Sequence, residues 1–204
     1  MLVVGLTGSI GMGKSAIASR LRDLGVPVCD ADAEVHKLYE GAAVVPVEAA
    51  FPGTTAGGKV DRQKLAAALL ANPDGFKRLE TIVHPLVQAA EREFLHRAAA
   101  AGAEVAVLEI PLLFETGGDK RVDLVIVASA PEDIQRQRVL ERQNMTLEKL
   151  EQVLGRQLSD DEKRARADFV VDTGGTFEEM HAQVDRIIEE LRRRAGTAFV
   201  RYWA

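Results

Sequence analysis

A chain of 204 residues, 47% hydrophobic and 28% charged, can bury one globular core with room for a small insertion, and its composition is not that of a disordered protein. A formal net charge of −5 gives no overall attraction to nucleic acid or anionic membrane, so an anionic small molecule would have to be met by local positive charge. One cysteine, Cys29, excludes an internal disulfide, no run reaches the ~18 apolar residues that span a bilayer, and Met1–Leu6 lacks the basic lead and length of a signal peptide; the expectation is a cytoplasmic monomer with no nucleic-acid and no membrane partner.

In chain order, LVVGL (2–6) reads as a short buried strand and KSAIASRLRDLG (14–25) as a helix with Ile17, Leu21 and Leu24 on one face. VPVCDAD (26–32) reads as a second strand that ends in two carboxylates. Residues 57–102 are mostly helical in pattern, with breaks expected near Asn72–Pro73 and again at His84–Pro85. EVAVLEIPLLFE (104–115) reads as a third strand, with Val105, Val107 and Ile110 suited to a buried parallel position, and VDLVIVAS (122–129) as a fourth. The next helix, APEDIQRQRVLERQ, is expected to start on a capping box of Ser129 and Glu132. Two short helices over roughly 146–167, a last strand at 168–173 and an amphipathic helix at 176–194 follow, the helix burying Phe177, Met180, Val184, Ile187, Ile188 and Leu191. The terminal AGTAFVRYWA carries no readable signal. Alternating strands and helices predict an α/β fold with a mainly parallel sheet and helices on both faces, and the 57–102 stretch, too long for a plain crossover, reads as an inserted substrate-side region.

Gly8 to Ser15 spell G-x-x-x-x-G-K-S between that first strand and first helix, the context in which the pattern holds a polyphosphate. Gly8, Gly11, Met12, Gly13, Lys14, Ser15 and Ala16 are the candidate ATP-binding residues: the glycines let the backbone turn its N–H groups inward, Lys14 reaches the β- and γ-phosphates, and the Ser15 hydroxyl offers a ligand to Mg²⁺. Asp30 and Asp32, at i and i+2 at the carboxyl end of the second strand, can take a proton from an attacking hydroxyl, orient it, or hold Mg²⁺ through water; equally, either can cap the following helix. Arg138 and Arg142, four apart on one helix, can stabilise charge on a migrating phosphoryl group, or can simply be solvated beside Glu132 and Glu141. Glu115 is a cleft acid or only a loop charge, and His84 is the histidine singled out of four.

These stretches together, GLTGSIGMGKS, LGVPVCDAD, GKVDRQKLAAALLANP, LETIVHPLV, IPLLFE and ADFVVDTGG, resemble the dephospho-coenzyme A kinases from Leu2 to about Arg194. The resemblance implies the P-loop nucleoside-triphosphate hydrolase fold, with a nucleotide core at about 1–56, 103–139 and 166–204, a helical substrate region at 57–102 and a small lid at 140–165. It implies that ATP, with Mg²⁺, donates its γ-phosphate to the ribose 3′-hydroxyl of dephospho-CoA, giving CoA and ADP. By the same resemblance, Lys14, Asp32, Arg138 and Arg142 are catalytic, with Asp32 as base, and Asp30, Asp32, Arg62, His84 and Glu115 bind the acceptor. Ala16 stands where the loop often has Thr, with Ser15 kept as the metal ligand, and Thr173 stands where many members have Asn, which leaves the contacts to the adenine open. Another small-molecule P-loop kinase is the nearest rival; a regulatory GTPase would need N-K-x-D, which the chain lacks, and the retained Lys14, Asp32 and arginine pair speak against a non-catalytic module.

Overall fold

The computed structural model describes residues 1–204 and divides into two compact units, Met1–Cys29 with Leu95–Ala204, and Asp30–Phe94. The elements in chain order are β1 (Leu2–Thr7), α1 (Lys14–Asp23), β2 (Val28–Asp30), α2 (Ala31–Leu38), α3 (Val44–Ala50), β3 (Thr55–Ala56), β4 (Lys59–Val60), α4 (Arg62–Leu70), α5 (Gly75–Ala100), β5 (Val105–Glu109), β6 (Leu124–Ser129), α6 (Glu132–Leu140), α7 (Leu147–Leu154), α8 (Asp160–Arg166), β7 (Phe169–Asp172) and α9 (Phe177–Leu191). No helix is long and apolar enough to cross a membrane.

The first unit is built on a five-stranded sheet in the order β2-β5-β1-β6-β7, with β1 parallel to both β5 and β6 and β6 parallel to β7. Every residue of β1 is buried, as a central parallel strand covered on both faces requires. One face buries Ile17 and Leu21 of α1 with Met180, Val184, Ile188 and Leu191 of α9. At the rim of that contact, Arg20 makes a two-pronged bond to Asp185 at 2.8 and 2.6 Å, which holds the Asp185 carboxyl below the usual carboxylate range. Phe177, expected on the buried side of α9, is instead 69% exposed, because the helix begins there. Its cap is Thr176, which accepts from the Glu179 amide while Glu179 reaches back to the Thr176 amide.

Around the strands that flank β1, two features differ from the sequence expectation. The strand reaching toward Glu115 ends at Glu109; beyond it Pro111 cannot donate to a ladder, and 112–118 close on themselves through Thr116 N–H to Leu112 O and Gly118 N–H to Leu113 O. Ser129 does not cap α6. It stays in β6, and Pro131, with its fixed φ, takes the cap position without a side-chain bond, which puts the expected box out of register. The terminal stretch, unreadable in sequence, forms a helical turn at Phe199–Trp203; Trp203 is buried, donates its indole N–H to Arg121 O, and its carbonyl sits 2.8 Å from His96 Nε2.

The second unit has its own core, Ala43, Val47, Phe51, Val60, Leu65 and Leu69, with Leu79, Ile82 and Leu86 of α5 packed against it. Asp61 caps α4 by accepting from Gln63 and Lys64 amides, and β3–β4 is a two-residue antiparallel hairpin turned at Gly57–Gly58, an element absent from the sequence reading. The break at Asn72–Pro73 is present, but the one expected at His84–Pro85 is not: α5 runs through Pro85. A proline inside a helix costs about 3 kcal/mol, and the apolar side chains on either side of it, Leu79 and Ile82 before and Leu86 after, share one core that favours a continuous helix.

Candidate active site

In the first unit, β1 delivers the chain at Thr7 into a loop that closes tightly, with Met12 N–H donating to Ser9 O at 3.2 Å, and releases it into α1 at Lys14. Gly13 is the N-cap of α1 in the left-handed region, and a Cβ there would meet the Thr173 hydroxyl at 2.8 Å. Gly11, at φ 81°, lies against α6 so closely that a Cβ would come within 2.6 Å of Val139 Cγ2 and 3.0 Å of Gln135 O. Gly11→Ala combines a left-handed alanine, about 1–2 kcal/mol, with that clash. It should lower Tm by about 5–10 °C; an unchanged melting curve would mean that the loop does not pack on α6 in solution.

Lys14 lies in the first turn of α1, and its ammonium donates to Gly8 O at 2.6 Å and Ser9 O at 3.3 Å, folded back over the loop. Ser15, exposed in the same turn, presents a hydroxyl. Arg138 does not share a helix with Arg142: α6 ends at Leu140, and Arg142 is exposed in the turn beyond. Arg138 instead grips the end of β7, donating to Thr173 Oγ1 at 3.1 Å and Thr173 O at 2.6 Å, while the Thr173 hydroxyl donates to Met12 O at 2.9 Å. Gly13, Ala16, Arg138, Thr173, Gly175, Phe177 and their neighbours line a small cavity of about 180 Å³ beside the start of α1.

Glu115 is tied inward. Its Oε1 accepts from Lys163 Nζ at 2.9 Å and from Leu158 N–H at 2.8 Å, and the Lys163 side chain is fully buried. Gln135 and Gln157 each bond the backbone of Ile10 in the loop, at 2.7 and 3.1 Å. Sequence reading passed over Gln135, Gln157 and Lys163. Lys163 stands in DDEKRAR, a run that looks solvated, and no local pattern marks it.

In the second unit, Asp32 does not end a strand. β2 stops at Asp30, which caps α2 by accepting from Ala33 N–H at 3.0 Å, and Asp32 is exposed in the first turn of α2, so the two carboxylates are not aligned by a strand's alternation. Asp32 and Arg62 nevertheless meet across a pocket of about 420 Å³ with Tyr39, His36, Leu65 and Leu69. Burial pushes the Tyr39 phenol up, with the Arg62 charge acting against it, so Tyr39 enters this pocket as a neutral phenol. His84 is exposed in the middle of α5 and is not among the residues lining that pocket.

Comparison with known proteins bears on what this arrangement serves. A protein-family model described as dephospho-CoA kinase matches residues 2–179. A Rhodopseudomonas palustris protein named dephospho-CoA kinase is 57% identical over 93% of this chain and 95% of its own length. Another of that name from Mesorhizobium japonicum is 55% identical over 97% of this chain and the whole of its own. Among solved structures, TT1252 from Thermus thermophilus aligns over 93% of this chain and 97% of its own, with a TM-score of 0.81 and 34% identity. Dephospho-CoA kinase from Campylobacter jejuni aligns over 94% and 97%, with a TM-score of 0.71 and 26% identity. A shikimate kinase from Acinetobacter baumannii, 16% identical with a TM-score of 0.54, shares the P-loop kinase fold alone.

Proposed function

Because the chain belongs to the dephospho-CoA kinase family, we propose that its phosphate loop binds the phosphate donor and that the Asp32–Arg62 pocket binds the acceptor. The reaction moves the γ-phosphate of ATP to the ribose 3′-hydroxyl of dephospho-CoA, giving CoA and ADP in the last step of coenzyme A biosynthesis. The acceptor oxygen bonds to the γ-phosphorus as the bond from that phosphorus to the β–γ bridging oxygen breaks, and the hydroxyl proton goes to Asp32.

Phosphate oxygens carry full charge, so they displace the neutral carbonyls of Gly8 and Ser9 from the Lys14 ammonium when ATP arrives. The start of α1 adds its N–H groups and its dipole. The cavity beside it, lined by Arg138 and Phe177 among others, is assigned to the adenine, with Thr173 in place of a side-chain amide. Arg142 is assigned to the charge that gathers on the migrating group. The Ser15 hydroxyl, exposed in the first turn of α1, fits the hard oxygen coordination of Mg²⁺, which would neutralise phosphate charge there. The single cysteine, Cys29, fits a reducing compartment such as the cytoplasm, and a net charge of −5 gives no general attraction to nucleic acid.

The observation that carries the acceptor assignment is the pocket itself, which brings a carboxylate and a guanidinium, 30 positions apart in sequence, onto one concave surface. A guanidinium is suited to the pyrophosphate of dephospho-CoA. Arg62→Ala should therefore lower kcat/KM for dephospho-CoA by roughly ten- to a hundredfold, the loss of one charge-assisted contact, with the KM for ATP little changed. Initial rates with each substrate varied in turn check this; an unaltered kcat/KM for dephospho-CoA removes Arg62 from the site.

A further inference from the structure

We propose that Gln157 and Gln135 are positioning residues that aim the phosphate loop, and that Glu115 acts on the reaction through Gln157 rather than by touching the acceptor. Gln157 Oε1 accepts the Ile10 N–H at 3.1 Å, and Gln135 Nε2 donates to the Ile10 carbonyl at 2.7 Å. The two bonds fall on successive peptide planes, 9–10 and 10–11. A trans peptide sets its N–H opposite its C=O, so tying the Ile10 carbonyl toward Gln135 turns the Gly11 N–H the other way. Gly11, at φ 81°, has little intrinsic preference to hold that orientation, and the ties supply it from outside the loop.

The two glutamines come from different elements. Gln135 is buried in α6, whereas Gln157 lies in the link between α7 and α8, which has no ladder or helix of its own to place it. The Gln157 N–H donates to Leu154 O at 3.0 Å, and the next residue ties it to the sheet side: Leu158 N–H donates to Glu115 Oε1 at 2.8 Å, and Glu115 is fixed by the fully buried Lys163, which also donates to Pro111 O at 3.3 Å. Pro111 O in turn accepts from Thr7 Oγ1 at 3.0 Å, at the end of β1 where the loop begins. Both ends of the loop's first half are thus tied to one buried ion pair. Preorganised donors stabilise a transition state because they need not be reoriented during the reaction, and freeing them forfeits part of that gain.

The inference rests on the loop being the ATP site, which the Lys14 variant described below tests separately. Gln157→Met keeps length and packing and removes the acceptor; Gln157→Glu keeps the acceptor and adds a negative charge. At saturating ATP, Gln157→Met should lose roughly tenfold in kcat, the scale of one lost hydrogen bond to the loop, with the KM for dephospho-CoA unchanged. Gln157→Glu should recover most of kcat while raising the KM for ATP, since its charge opposes the phosphates. A role in folding alone would lower the melting temperature and leave kcat at 25 °C intact, and this would overturn the proposal. A kcat for Gln157→Glu as low as that of Gln157→Met would overturn it too, because the acceptor would then not be what matters. Should Gln157→Met fail to fold, Gln157→Ala replaces it with the same expectations. If Lys14→Ala retains turnover, the ATP-site assignment fails; if it loses turnover while Gln157→Met matches the wild type, only the positioning role fails.

Discussion

Lys14→Ala should reduce phosphoryl transfer by about a hundred- to a thousandfold, the range seen when one preorganised charge contact to a transition state is removed. The ammonium is the cation that the loop itself carries, placed in the first turn of α1 and already directed over the loop toward Gly8 and Ser9. Its loss removes charge stabilisation where phosphate charge is densest, and no neighbouring side chain in the loop can substitute, since Ser9, Ile10 and Met12 are neutral. The fold should survive, because the strand and helix that flank the loop are held by the β1 ladders and by Ile17 and Leu21 in the core. Transfer from radiolabelled ATP, measured at saturating ATP beside a melting curve, checks both halves. Near-normal turnover would sink the assignment of the loop as the donor site.

Asp32→Asn should lower kcat by about a hundred- to ten-thousandfold, the contribution typical of a general base, while the affinity for ATP changes little. The amide keeps size and hydrogen bonding but cannot take a proton. Asp32 stands in the first turn of α2, where its negative charge opposes the positive end of the helix dipole, so the substitution also costs a few tenths of a kcal/mol of helix stability, too little to explain such a loss. Asp30→Asn should be far milder, because asparagine caps a helix about as well as aspartate. Isothermal titration with a non-hydrolysable ATP analogue separates binding from turnover. Lost affinity with turnover kept at saturation would make Asp32 a group of the metal's surroundings instead of the base.

Much of this was readable without coordinates. The phosphate loop announces itself because its chemistry is local: three glycines, a lysine and a serine act through the backbone between one strand and one helix, and LVVGL and KSAIASRL declare those two elements by their own periodicity. The strands are legible for a similar reason, since a strand buried on both faces is a continuous apolar run. The pocket of the second unit was only partly legible. Asp32 could be named from its place after VPVCD and Arg62 from a resemblance, but their meeting across one pocket depends on how α2 and α4 pack on Val47 and Phe51, which no window of sequence contains.

What sequence alone determined is therefore the fold class, the strand–loop–helix that carries G-x-x-x-x-G-K-S, and the family, each written in short-range pattern or in the order of motifs along the chain. The tertiary structure decided the rest, and for one physical reason: a polar side chain's role is set by its partner, and the partner is usually distant in sequence. Glu115 looked like a cleft acid or a loop charge after an apolar run and pairs with the buried Lys163, 48 positions on. Arg138 looked like half of a pair with Arg142 and grips Thr173. Pro85 looked like a helix end, yet α5 continues through it because Leu79, Ile82 and Leu86 share a core, and the local cost of the proline is smaller than what that burial returns.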